Sequence, residues 1–193
     1  MGIPRSGGGE GPDRLPPMTV DALSEAQSNA AARFAEARKA PVFGPFWPLI
    51  RSPEMMLRAH EMGQYLRYNS SLPYILSEMA ILLIARRWNQ PVEWEIHLPA
   101  ALKAGLSAAV AESIRLGRRP DEMSPQEAVV HDLVEALQPP GVVDDALYAR
   151  GCALLGEAGV IDLAGVAGYY SLLAMTMNLA RTKTAGADVP TLA

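Results

Sequence analysis

Along the chain the apolar positions recur at three- and four-residue spacings, and proline and glycine gather between the periodic stretches. No run of β-branched residues alternates with polar ones, so the pattern predicts helices and no strands. A first helix is expected over 19–39, ended by Ala40-Pro41-Val42-Phe43-Gly44-Pro45, then a short aromatic plug over 46–50. Ser52-Pro53-Glu54 opens the next helix, with Ser52 as N-cap and Pro53 at the first position, where a missing N–H does no harm. The stretch 72–88 is apolar almost all round, as a helix buried on several sides must be, and it contains Glu78. Further helices are expected over 91–104, closed by Gly105, and over 107–116, closed by Gly117. The capping box Ser124-Pro125-Gln126-Glu127 opens one over 124–138, and two more follow over 144–155 and 161–181. Pro99 falls inside the helix over 91–104, removes one backbone hydrogen bond and is expected to kink that helix beside His97.

Composition narrows the class. The 193 residues are 49% hydrophobic, enough for one core, and the domain is placed at 18–184. Residues 1–17 and 185–193 have few large apolar groups and are expected to be flexible tails. Met1-Gly2-Ile3-Pro4-Arg5-Ser6 fits a permissive myristoylation pattern that is set aside as chance. A net charge of −4 gives no broad attraction for nucleic acid or anionic lipid. Cys152, the only cysteine, allows neither an internal disulfide nor a zinc cluster, and the N-terminus lacks a signal peptide's apolar run, so a cytoplasmic location is expected. Residues 163–180 are uncharged and long enough to suggest a membrane span. Tyr169, Tyr170, Ser171, Thr176 and Asn178, with Gly165 and Gly168, instead point to a buried or intersubunit helix and a homo-oligomer outside any membrane.

The candidate chemistry lies between 60 and 97. Glu93 and His97 are spaced i, i+4 and share a helix face. Glu78, on an apolar helix, must find a partner or shift its pKa upward; a structural ion pair with Arg86 or another basic group is the plain reading. Arg86 projects about 80° from Glu78 around the helix, which also makes it a counter-charge for an anionic substrate, whereas Arg87 points elsewhere. His60, Gln64 and Arg67 share a face that, with Tyr68, borders a pocket or is simply exposed. Trp94 faces about 100° away from Glu93 and is read mainly as packing. His131, between Glu127 and Glu135, is read as part of a solvated face.

Glu78, then Glu93 and His97 fifteen and nineteen positions later, followed by Ala100, Ala101 and Gly105-Leu106-Ser107, resemble the carboxymuconolactone decarboxylase family over about residues 50–180. The resemblance implies an all-α compact bundle of the alkylhydroperoxidase D-like type, assembled as a dimer, trimer or hexamer. The peroxidase branch of that superfamily uses a CxxC pair, and the corresponding positions here are Gln90 and Glu93, so a disulfide cycle has no thiols to run on. What the resemblance then implies is a lyase without metal or organic cofactor, acting on a small anionic lactone or carbonyl compound. His97, Glu93 and Glu78 would be catalytic, with His97 transferring the proton. Arg86, Tyr68, His60 and Trp94 would contact the substrate. Isomerisation, dehydration and non-catalytic binding of a small ligand are the alternatives. Burial predicts a raised pKa for Glu78, and the helix N-terminus an ionised Glu93 that supports His97, with Glu78 either holding the other imidazole nitrogen or exchanging a proton with the substrate.

Overall fold

The computed structural model describes residues 11–139 and 141–193, so the Met1–Ser6 pattern lies outside the described residues. Among those described, every regular element is helical. After a single 3-10 turn at Val20–Ala22 come α1 (Glu25–Arg38), α2 (Phe46–Leu49), α3 (Pro53–Tyr68), α4 (Tyr74–Arg87), α5 (Pro91–Lys103), α6 (Ala108–Arg115), α7 (Pro125–Ala136) and α8 (Asp145–Ala180).

The starts are set by short polar side chains that satisfy orphan N–H groups. Ser24 with Gln27 and Ser124 with Glu127 form reciprocal capping boxes, and Asp144 accepts from the Leu147 N–H. Ser52 holds the N-cap position of α3, but its side chain makes no capping bond there. The two helices expected over 144–155 and 161–181 are one continuous path broken at Gly156, whose φ of 75° and ψ of 163° are open to glycine and strained for other residues. α5 runs on through Pro99 to Lys103.

α4 is the axis of the bundle. It packs against α5, α6, α7 and α8, while α3 lies between α1 and α8. Met79, Ala80, Ile81, Leu82, Ile84 and Ala85 are fully buried, so the all-round apolar pattern follows from contact on every side. α8 is long and apolar enough to cross a membrane by length and composition, and half of its most apolar stretch is buried in this bundle, as a core helix also requires.

The termini, expected to be loose, are placed against the bundle where the structure describes them. The Arg14 N–H donates to the Ala180 carbonyl at 2.7 Å, and Arg51 reaches the carbonyls of Leu15 and Pro16. At the other end the Trp94 indole N–H donates to the Pro190 carbonyl at 2.8 Å, the Ala187 N–H to Glu95, and Arg115 to the Thr191 carbonyl. These backbone groups give the tails an enthalpic hold that their composition does not reveal.

Candidate functional site

Four helices bring ionisable side chains into the core. Glu78, on α4, is fully buried, and each of its carboxylate oxygens has one partner. Arg67, in the last turn of α3, donates from Nε to Oε1 at 2.9 Å; His97, on α5, meets Oε2 through Nδ1 at 2.7 Å. Arg67 also donates from Nη2 to the Tyr74 hydroxyl at 3.3 Å, at the start of α4. Pairing across three helices is what makes a fully buried carboxylate tolerable.

Burial pushes the Glu78 carboxyl upward, but the His97 hydrogen bond and the Arg67 charge outweigh it and hold the pKa below the ordinary value. Burial likewise opposes the charge of Arg67, and Glu78 keeps that guanidinium protonated. For His97 burial lowers the pKa, and the nearby cations Arg67 and Arg38 add to this against the pull of Glu78. The resting state is therefore an ionised Glu78 and a neutral His97. Since an ionised carboxylate only accepts, the His97 proton sits on Nδ1 and Nε2 carries the lone pair. The ring stands edge-on to Tyr170, at 5.1 Å between centroids and 89° between planes.

Glu93 behaves in the opposite way. It is buried in the first turn of α5, neither carboxyl oxygen has a hydrogen-bond partner, and burial raises its pKa well above the ordinary value. The expected pKa bias of the two glutamates is thus reversed, Glu78 being held toward its ionised form and burial holding Glu93 toward its neutral one, while Glu78 holds an imidazole nitrogen of His97 as the sequence also allowed. The helix N-terminus favours an anion at Glu93 by at most about 2 kcal/mol, whereas burying a carboxylate without partners costs more. Tyr169 and Tyr170 lie close enough that a charge on Glu93 would raise their already elevated pKa values.

The remaining candidates separate. Arg86 packs beside Gly117, toward the far end of α4 from Glu78; the basic group that pairs with Glu78 is Arg67. His60 is buried rather than exposed, and its Nδ1 accepts from Arg38 Nε at 3.1 Å. Trp94 is a packing residue, 1% exposed and tied to the C-terminal segment. Tyr68 is exposed, and the Arg67 guanidinium lies 5.4 Å from its ring. His131 lies beside Arg119 and Asp132 at the surface junction of α7 and α8. Arg38 was not singled out by the sequence, although its charge acts on His97. The face shared by His60, Gln64 and Arg67 was the signal available for α3.

A pocket of about 420 Å³, lined by Arg67, Tyr68, Ser70, Leu72 and Tyr74, opens next to the network. It meets the network at Arg67. Among the described residues no three His, Cys, Asp or Glu side chains converge in a way that would hold a metal ion.

These features define an all-helical protein with a buried arginine–carboxylate–imidazole relay and a neutral carboxyl one turn away. No family model, curated protein or solved structure matches the chain. Chemically, the arrangement offers a base at His97 Nε2, an anion that steadies the imidazolium once it forms, and an acid at Glu93.

Proposed function

We propose that this protein is an acid–base enzyme, a lyase resembling the carboxymuconolactone decarboxylases, acting on a small anionic lactone or carbonyl compound. The observation that carries this reading is the 2.7 Å contact between His97 Nδ1 and the fully buried Glu78 carboxylate. Such a carboxylate fixes the imidazole tautomer and stabilises its cation, which is the requirement for proton transfer at Nε2.

In the decarboxylation, the carbon–carboxylate bond of a vinylogous lactone acid breaks and releases carbon dioxide. Its electron pair moves through the conjugated system to the lactone oxygen, forming a dienolate, and protonation of the far carbon restores the neutral ring. Glu93 is the interior proton source and His97 the group that passes the proton. The protein side chains supply acid, base and counter-charge, so the step needs no metal or organic cofactor. Isomerisation of the same compounds would use the same two proton transfers. Self-association belongs to this reading, supported by Ile161, Met175 and Leu179 exposed on α8.

One observation favours a second reading as a small-ligand-binding protein: the pocket reaches the network through Arg67 and not through His97. Turnover separates the two. With carboxylated γ-lactones as substrates and carbon dioxide release as the assay, His97→Gln is expected to lower the rate by roughly 10²–10⁴ while substrate still binds. An unchanged rate in His97→Gln removes the acid–base reading, and binding without any turnover by the wild type supports the second.

A further inference from the structure

Two arginines approach the buried histidines: Arg67 is paired with Glu78 beside His97, and Arg38 meets His60. Arg38 is the last residue of α1 and is partly buried, and no carboxylate lies within ion-pair distance of it among the described residues. Its charge is nonetheless felt at both His97 and Tyr169.

The guanidinium is held in an unusual way. Its carbon lies 5.6 Å from the Phe34 ring centroid, 5.7 Å from that of Phe43 and 5.2 Å from that of Phe46, so three π-faces partly compensate the charge. Nε donates to His60 Nδ1, which fixes His60 as the tautomer with its proton on Nε2. His60 is in turn packed against Phe34 and Phe46. Only one of the five guanidinium N–H groups is used by this clamp. The two Nη groups, whose spacing matches the two oxygens of a carboxylate, have no hydrogen-bond partner among the described residues.

We infer that the Nη edge of Arg38 is a carboxylate-binding subsite, aimed by His60 and the Phe34–Phe43–Phe46 cage, that anchors an organic acid with its reacting carbon at His97. The role of His97 in this statement rests on the acid–base reading above; the subsite itself does not. Ion pairing stabilises a carboxylate against loss, so the group held at Arg38 is one that the reaction leaves intact, and the product should keep it. His60 is a positioning residue that acts through Arg38.

The test uses the full chain with benzoate as the charged probe and benzamide as its neutral counterpart, following the ¹⁵N resonances of Arg38 Nε and the His97 ring. Benzoate is expected to bind with a Kd of about 1 mM or tighter and to move the Arg38 resonance, while benzamide does not. Arg38→Gln should weaken benzoate binding roughly tenfold or more, with Arg38→Lys in between. His60→Gln, whose side-chain oxygen can still accept from Nε, should retain more binding than His60→Leu. The subsite is overturned if benzoate fails to bind the wild type at millimolar concentration, if it leaves Arg38 unmoved, or if it binds Arg38→Gln equally well. Should Arg38→Gln not fold, the wild-type Arg38 resonance still decides. Benzoate bound at Arg38 in a protein whose His97→Gln variant keeps full turnover breaks the acid–base reading alone; loss of turnover in His97→Gln with no benzoate at Arg38 breaks the subsite alone.

Discussion

Among the described residues, arginine, a carboxylate and histidine come together in one cluster inside the bundle and in another outside. At the junction of α3, α4 and α5, the side chains of Arg67, Glu78 and His97 are 16%, 0% and 6% exposed. At the surface between α7 and α8, Asp132 takes contacts from Arg119 and Arg150 and lies beside His131, with both arginines about half exposed. The chemical parts are alike, and the solvent is not. Water screens the outer cluster and would replace any lost partner, so its geometry is permissive. The inner cluster is largely withdrawn from solvent, with Glu78 fully buried and Arg67 alone reaching the pocket, so a lost partner is hard to replace. Only such a site can fix a histidine tautomer or hold a carboxylic acid neutral at neutral pH.

The sharpest way to break this contrast is to remove the carboxylate from each cluster. Glu78→Ala leaves the Arg67 guanidinium largely buried without an anion, and is expected to cost about 3–5 kcal/mol of folding stability in denaturant titrations. The isosteric Glu78→Gln keeps the volume, loses the anion that steadies the His97 cation, and should reduce turnover by roughly 10²–10⁴. A Glu78→Ala protein as stable as the wild type would show that the interior is wetter than the packing implies.

Much of the bundle was legible because it is written locally. Ser124 and Asp144 are caps that act within three residues, and the all-round apolar run around Glu78 needs no tertiary knowledge to be read as a buried helix, whereas the helix expected from 19 starts at Glu25 behind the Ser24 cap. Which glutamate would be ionised was not legible. Glu78 and His97 are nineteen residues apart and Arg67 and Glu78 eleven, and those contacts exist only once α3 and α5 are docked on α4. Position along a helix gave Glu93 an expected charge, but burial without a partner, a purely tertiary fact, outweighs a helix dipole. The same applies to Arg86: its angle around α4 was right for Glu78, but it is placed beside Gly117 instead. The terminal segments, poor in large side chains, are held by hydrogen bonds such as that from Trp94 to Pro190, which composition cannot report.

Glu93 gives the next largest effect and sharpens the comparison within the interior itself. Replacing a buried, unpartnered carboxyl by an apolar group of similar size removes a desolvation cost, so Glu93→Leu should stabilise the fold by about 1–3 kcal/mol near neutral pH while impairing turnover. The pH dependence supplies the sign. Between the ordinary value of 4.5 and the raised value in the fold, the unfolded chain has released the Glu93 proton and the folded chain has not. The folded state then binds more protons, and stability falls as pH rises through that window, being fully present below 4.5. Glu78 runs the other way: its contribution is present above 4.5 and is lost as pH falls through its depressed folded value. Unfolding curves across pH should therefore lose their alkaline-side decline in Glu93→Leu. A decline of the same slope in the variant would mean that Glu93 is ionised in the fold after all.

The smallest effect is expected at the surface cluster, and it is the control that gives the others meaning. Asp132 accepts from Arg119 and Arg150, and burial raises its carboxyl less than His131 and the two arginines lower it, so the pKa lies below the ordinary value. Direction alone would make it look like Glu78. Its partners, however, are half in solvent, and an exposed pair yields only about 0–1 kcal/mol after screening and side-chain entropy are counted. Asp132→Asn should thus change stability by about 1 kcal/mol or less, and that small difference should shrink further in high salt, where the screening length falls to about 3 Å. Glu78→Gln should show a weaker salt dependence, because Glu78 and His97 are buried and Arg67 is mostly so. Equal salt sensitivity in the two variants, measured by denaturant unfolding at low and high ionic strength, would erase the distinction between the clusters and with it the case for a dry relay at His97.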